Sequence, residues 1–386
     1  MSQKLPPIHR YKVAAIQYEP TLGDKGKNLD DLERMTVEAA QNGARLIVHP
    51  EMATTGYCWF SREEIEPMVE PIPGPTTERF ASVAREHGCY IVLGMPEVDP
   101  ETGAYYNSAP LVGPMGYIGN YRKAQPFDSE PKWAKDGDLG FPVYETEIGN
   151  IGAFICMDAV LPETARMLAL RGADVLAFPT NWLPAADGPS AWWKGRALEN
   201  GVYFIAADRW GTERGVDFSG GSCVIGPDGD LQQWQKTGDC IVYGEVDIAK
   251  ARDKSWFPES VENKMLDRRP DAYFNLTLNT YVANPIRFHR LYGHDPLPAG
   301  KHSRLAAVQF APVPGDIEGN LAKIEALLRG HRGEIDLFVL PELAVTGLDA
   351  FTPERATALA QRIDGPAIAR LVDLASERGS YIAAGF

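Results

Sequence analysis

Ile151-Gly152-Ala153-Phe154-Ile155-Cys156-Met157-Asp158-Ala159-Val160-Leu161-Pro162-Glu163 passes from a small, apolar, strand-like run into a polar turn and then a helix start. That order places the Cys156 thiol at the carboxyl end of a sheet. There a rigid strand holds the side chain, and the next helix presents N–H groups and the positive end of its dipole. Taken alone, such a cysteine reads as a small buried hydrophobe. As a nucleophile it needs a base, and the usual partner is remote. Histidines stand at 9, 49, 87, 289, 294, 302 and 331, none between His87 and His289. A papain-like Cys–His pair would have to come from distant segments, so the base is sought among carboxylates and lysines.

Two further strand ends supply them. Arg45-Leu46-Ile47-Val48-His49-Pro50-Glu51 is an apolar strand closing on a carboxylate, followed by the turn-prone Thr54-Thr55-Gly56. Tyr117 to Lys123 reads as another strand, closing on Tyr121-Arg122-Lys123. A Glu, a Lys and a Cys at three strand ends can converge on one cleft, where the carboxylate takes the thiol proton, the thiolate attacks a carbonyl and the ammonium stabilises the oxyanion. Separately, Lys123 reads as half of an exposed basic pair and Glu51 as a turn residue. Together, at the ends of buried strands, the functional reading outweighs the structural one.

These segments resemble the nitrilase superfamily of carbon–nitrogen hydrolases, whose triad is Glu-Lys-Cys. The resemblance covers roughly residues 11 to 275 and extends to Tyr106-Asn107-Ser108, Asp136-Gly137-Asp138, Phe178-Pro179-Thr180-Asn181-Trp182, Arg196-Ala197-Leu198-Glu199-Asn200 and Gly226-Pro227-Asp228-Gly229. It implies Glu51 as general base, Lys123 as oxyanion stabiliser and Cys156 as nucleophile. A second family glutamate best fits Glu130, seven residues before Gly137, where it would hold Lys123 and orient the attacked amide or the hydrolytic water. Cys156-Met157-Asp158 resembles the Cys-x-Asp of amidases and carbamoyl-amide hydrolases more than the Cys-Trp-Glu of nitrilases proper, which tilts the expected substrate toward amides. By position, the Met157 amide is a candidate second oxyanion donor, and Tyr57, Trp59 and Trp182 are candidates to line the pocket.

Composition bounds the rest. The 386 residues are 44% hydrophobic and 23% charged, as in an ordinary globular protein, with room for two or three domains. A net charge of −14 disfavours nucleic acid and acidic membrane surfaces. No apolar run reaches the ~18 residues of a membrane span, and Met1-Ser2-Gln3-Lys4-Leu5-Pro6-Pro7 lacks a signal-peptide core. Five scattered cysteines without a C-x-x-C pair read as free thiols in a reducing, cytoplasmic setting, with no metal or organic cofactor implied. The expected partner is a small-molecule amide, carbamoyl or nitrile substrate.

Residues 11 to 275 alternate strands and helices, and their hairpins and crossovers argue for sheets each covered by helices on one outer face. The architecture this resembles is a four-layer α-β-β-α sandwich, an α/β fold. The expected domains are a carbon–nitrogen hydrolase unit over 1–275, an extension and linker over 276–303, and a partial second unit over 304–386. In the family an Arg-Arg-Pro segment like Arg268-Arg269-Pro270 crosses to a partner subunit, so a homodimer or higher homo-oligomer is expected. The last part is an internal repeat at an offset of about 291 residues. Leu305-Ala306-Ala307-Val308-Gln309 matches Val13-Ala14-Ala15-Ile16-Gln17, and Leu337 to Glu342 matches Leu46 to Glu51. Gly365-Pro366 echoes Gly74-Pro75, and Tyr381 to Gly385 echoes Tyr90 to Gly94. It carries no counterpart of Lys123 or Cys156, and its strands would leave an apolar face uncovered, so continuation into a longer tandem protein is expected.

Overall fold

A computed structural model describes residues 8–183, 189–256, 261–273, 276, 302–348 and 352–385. The chain divides into two compact units, Met1–Ala272 and Tyr273–Phe386. Most of the expected 276–303 linker lies outside the described residues.

The first unit runs β1 (Arg10–Gln17), α1 (Lys25–Gln41), β2 (Ala44–Val48), α2 (Arg62–Ile65), α3 (Pro75–His87), β3 (Tyr90–Val92), β4 (Met95–Val98), β5 (Tyr105–Gly113) and β6 (Gly116–Arg122). It continues through β7 (Val143–Thr146), β8 (Gly149–Ala153), α4 (Pro162–Leu170), β9 (Val175–Thr180), α5 (Ala191–Asn200) and β10 (Tyr203–Asp208). It closes with β11 (Trp210–Glu213), β12 (Val216–Ser219), β13 (Ser222–Ile225), β14 (Leu231–Gln235), β15 (Cys240–Asp247) and α6 (Ile248–Arg252). One sheet has the order β15-β1-β2-β3-β5-β4 with β6 on β5; the other has the order β14-β13-β10-β9-β8-β7.

Period-two alternation decides which face each strand shows to which layer. Val13, Ala15, Leu46, Val48, Tyr90 and Val92 pack in one cluster with Ile151, Ala153, Val175 and Ala177 of the other sheet. The intervening Ala14, Ile16, Ile47 and Ile91 pack instead with Leu32, Met35 and Ala39 of α1 and Phe80 and Ala84 of α3. On the far side, Leu176, Phe178 and Phe204 meet Leu168 of α4 and Trp193 and Ala197 of α5. The result is the expected four-layer α-β-β-α sandwich. Local signals set the helix ends. The Asp24 side chain accepts from Lys27 N at the start of α1, Pro75 opens α3, and left-handed Gly88 and Gly201 close α3 and α5.

The second unit comprises β16 (Leu305–Ala307), α7 (Ile317–Gly330), β17 (Leu337–Val339), α8 (Pro353–Leu359), α9 (Pro366–Arg378) and β18 (Tyr381–Ala383), with a parallel sheet ordered β16-β17-β18. It repeats the β1-β2-β3 scaffold down to single residues. Asn320 Nδ2 donates to Val313 O and Val345 O, as Asn28 Nδ2 does to Thr21 O and Thr54 O. Leu343 adopts φ 48° where Met52 adopts 51°. The helices cover Phe338, while Leu305, Val339 and Tyr381 on the opposite face are 67%, 43% and 79% exposed.

Candidate active site

Three strand ends of the first unit deliver the site. Beyond β2 the chain turns at Met52, with φ 51°, and leaves Glu51 fully buried. Gly94 makes this turn possible, because a Cβ there would lie 2.0 Å from Pro50 O and 2.7 Å from Glu51 Cα. Lys123 directly follows β6 and is 1% exposed. Its carbonyl accepts from Gly137 N, and a Cβ at Gly137 would lie 2.0 Å from Arg122 O. Beyond β8, Cys156 opens a one-turn 3-10 helix, Cys156–Val160, ahead of α4. Its φ is 46°, a conformation that non-glycine residues hold only where the surroundings enforce it, at a cost of about 1–3 kcal/mol.

Lys123 Nζ donates to Glu51 Oε1 at 2.7 Å and to Glu130 Oε1 at 2.7 Å. Glu130 sits in the 3-10 turn Glu130–Lys132 and is 1% exposed, so it is not a solvated loop residue. Asn107 Nδ2, on β5, bridges the same two carboxylates at 2.7 and 3.1 Å. Glu51 Oε2 accepts from Asn181 N at 2.9 Å, while Asn181 O lies 3.9 Å from Cys156 Sγ. One buried ammonium therefore serves two carboxylates, a group of net charge −1 beside a thiol.

That charge balance sets the protonation states. Burial pushes the Glu51 carboxyl up to about 7; the Lys123 charge opposes this and the Glu130 charge adds to it. Burial alone would lower Lys123, but the charges of Glu130 and Glu51 outweigh it and hold the ammonium protonated. The Cys156 thiol is pushed well above its ordinary value by burial first and the Glu51 charge second, with Lys123 pulling the other way. At neutral pH the resting cysteine is a thiol beside a carboxylate poised to accept a proton.

Of the candidate pocket residues, Tyr57 is brought to the site, with Lys123 Nζ 5.9 Å from its ring centre. Met157 follows Cys156 in the 3-10 turn. Trp182 packs edge-to-face in an aromatic group, 5.3 Å from Trp193 and 5.8 Å from Trp192 between ring centres, and its backbone N–H donates to Asp208 Oδ1. Trp59 is held within its own loop by Nε1 donating to Gly56 O. Asp158 is 0% exposed, and its carboxylate accepts from Tyr121 Oη at 2.7 Å. That bond turns it toward the strand that runs into Lys123. Among the described residues, no group of three or more His, Cys, Asp or Glu is arranged to hold a metal ion.

Sequence reasoning quoted Asn107 but gave it no part in the site. It also passed over Arg122, which is 8% exposed and pairs with Glu97, Asp99 and Asp138 while lying 3.9 Å over the Tyr106 ring. That network anchors the strand carrying Lys123.

The carbon–nitrogen hydrolase family model matches residues 12–254 and again 304–386. The chain belongs to the carbon–nitrogen hydrolase family. It is 41% identical over 265 residues to a nitrilase of Pyrococcus abyssi, covering 68% of this chain and 99% of the relative. It is 33% identical over 303 residues to the N-carbamoylputrescine amidase of Solanum lycopersicum, covering 71% and 97%. The solved structure of an amidase from Nesterenkonia sp. superposes with a TM-score of 0.58 at 24% identity, over 71% of this chain and 99% of that one, a likeness of fold. This carbon–nitrogen hydrolase thus carries the sandwich of its family. Among the described residues, no helix is long and apolar enough to cross a membrane.

Proposed function

We propose that the first unit hydrolyses a linear amide or carbamoyl-amide through a Cys156 thioester. The observation that carries this reading is the buried Lys123 ammonium, hydrogen-bonded to both Glu51 and Glu130 beside the Cys156 thiol. Glu51 takes the thiol proton as Sγ bonds to the carbonyl carbon. Lys123 Nζ and the Met157 N–H receive the oxyanion. The tetrahedral adduct collapses, the C–N bond breaks, and the proton on Glu51 passes to the departing nitrogen. Water then attacks the thioester with Glu51 again as base, releasing the acid and restoring the thiol. Glu130 and Asn107 keep Lys123 and Glu51 in register, and Tyr57 and Trp182 shape the substrate pocket.

Similarity to an N-carbamoylputrescine amidase supports an amide or carbamoyl substrate. A second reading, conversion of a nitrile to acid and ammonia by the same residues, is favoured by the 41% likeness to a protein named nitrilase. A non-catalytic tandem scaffold is the third reading. Ammonia release from matched series of amides, carbamoyl compounds and nitriles separates the three. Turnover confined to nitriles overturns the amide reading, and no turnover on any series favours the scaffold.

A further inference from the structure

Asp158 lies two residues beyond the nucleophile, and its two oxygens take three donors. Oδ2 accepts from Tyr121 Oη at 2.7 Å and from Ile155 N at 2.9 Å, and Oδ1 accepts from Gln125 N at 2.9 Å. Tyr121 Oη in turn accepts from Ala124 N at 3.1 Å, so its own proton is committed to Asp158. The donors come from two chain segments: Ile155, immediately before Cys156, and Tyr121 with Gln125, on either side of Lys123.

We propose that Asp158 is a positioning residue whose carboxylate locks the Cys156 turn and the Lys123 loop in one register, so that Sγ and Nζ address the carbon and the oxygen of the same carbonyl. The proposal rests on the reading of Cys156 as nucleophile and Lys123 as oxyanion stabiliser. Three observations support it. The carboxylate is wholly buried, a costly place for a charge unless its hydrogen bonds are needed and filled. Cys156 holds a left-handed φ of 46°, which persists only where neighbouring contacts over-determine it, and the Asp158 bond to Ile155 N is one such contact. Lys123 stands just past β6 with its own N–H donating to Asn107 O and its carbonyl accepting from Gly137 N, and the Asp158 bonds to Tyr121 and Gln125 tie the chain on either side of it to the Cys156 turn. Burial pushes the Asp158 carboxyl up to about 6, and its hydrogen bonds oppose this, leaving it largely ionised at neutral pH as a pure acceptor.

Asp158→Asn tests this with almost no change of shape. In either orientation its NH2 faces a backbone donor, Gln125 N–H or Ile155 N–H, so one side of the tie opens. Tyr121→Phe is the second variant; it keeps a fully buried ring and removes one hydroxyl. Turnover, single-turnover acylation and alkylation of Cys156 by iodoacetamide are measured on each, with near-UV circular dichroism to confirm folding. The expected results for Asp158→Asn are kcat and acylation lower by about 10²-fold, the scale for a misplacement near 1 Å, with KM within about threefold. Alkylation, which needs the thiol but not its alignment with Lys123, stays within about fivefold. Tyr121→Phe loses about 5–10-fold in kcat. If alkylation falls as far as acylation, Asp158 acts on the thiol alone and the proposal fails. It fails too if both folded variants keep kcat within twofold while Cys156→Ala is dead. If Asp158→Asn does not fold, Tyr121→Phe decides. Turnover by Cys156→Ala would overturn the catalytic reading itself instead.

Discussion

Glu51→Gln removes one charge and one proton acceptor from the buried array while preserving its outline. The retained Oε1 continues to accept from Lys123 Nζ and Asn107 Nδ2, both at 2.7 Å in the native protein. The new Nε2 replaces the oxygen that accepts from Asn181 N at 2.9 Å, so two donors face each other. Losing that charge-assisted bond costs about 1.5–3 kcal/mol. Part of this is offset, because the array changes from net −1 to neutral and Lys123 keeps Glu130 at 2.7 Å. The protein should stay folded, with a modest loss of stability.

The chemical consequences are opposite in sign for the acylation rate and for the ease of ionising the thiol. Without its base, acylation should fall by roughly 10²–10⁴-fold, which is about 3–5 kcal/mol in the barrier. Yet the Glu51 charge is one of the causes raising the Cys156 thiol, and Lys123 remains to lower it. The thiol of Glu51→Gln should therefore titrate at lower pH than in the native enzyme. The assay is single-turnover acylation alongside the pH dependence of iodoacetamide alkylation at Cys156. Wild-type acylation by the variant would place the base elsewhere. An alkylation midpoint that stays put or rises would refute the claim that Glu51 presses electrostatically on the thiol.

Four further outcomes follow from burial and charge elsewhere in the site and the chain. Native kcat/KM should fall as pH drops through about 7, where burial holds the Glu51 carboxyl, because the protonated acid cannot take the thiol proton; a flat profile from pH 5 to 9 would remove Glu51 as base. Lys123→Met should abolish turnover and lower stability by about 3–5 kcal/mol, since it strands two buried carboxylates; thermal melting reads this, and an unchanged Tm would refute the burial argument. His49 is fully buried beside Thr36 Oγ1 and is held down to about 3 by burial, so the unfolded chain binds its proton first. Stability should drop by up to about 1.4 kcal/mol per pH unit as pH falls from about 6.5 toward 3, and His49→Gln should show a shallower slope in urea melts. Glu342→Gln in the second unit should leave turnover within about twofold, under ~0.5 kcal/mol in the barrier; a larger loss would draw the second unit into the first unit's chemistry.

What the sequence made legible was whatever is encoded in consecutive residues. Leu46-Ile47-Val48 and Ile151-Gly152-Ala153 announce buried strands, and the polar residues just past them stand at a sheet edge whatever the rest of the chain does. Strand β15 was harder to see. It pairs with β1 from Cys240 to Asp247, yet its exposed Glu245 and half-buried Tyr243 blur any clean alternation. Glu130 follows no apolar run, standing in a short turn beyond Asp128 with φ 51°, so only the family resemblance pointed to it. Asn107 was hidden differently. All nine residues of β5 are buried, and nothing local singles out one amide that will bridge carboxylates 56 and 23 residues away.

The second unit makes the same division visible within one chain. It rebuilds the Asn320 clamp, the left-handed Leu343 and a glycine, Gly385, whose Cβ would lie 2.6 Å from Glu342 Cα. Those features belong to the β-α-β scaffold, and they return where its sequence pattern returns. The ammonium and thiol beside Glu51 come from just past β6 and from the turn beyond β8. Glu342 is exposed where Glu51 is fully buried, and a carboxylate becomes a general base only through the charges and burial that other segments bring to it.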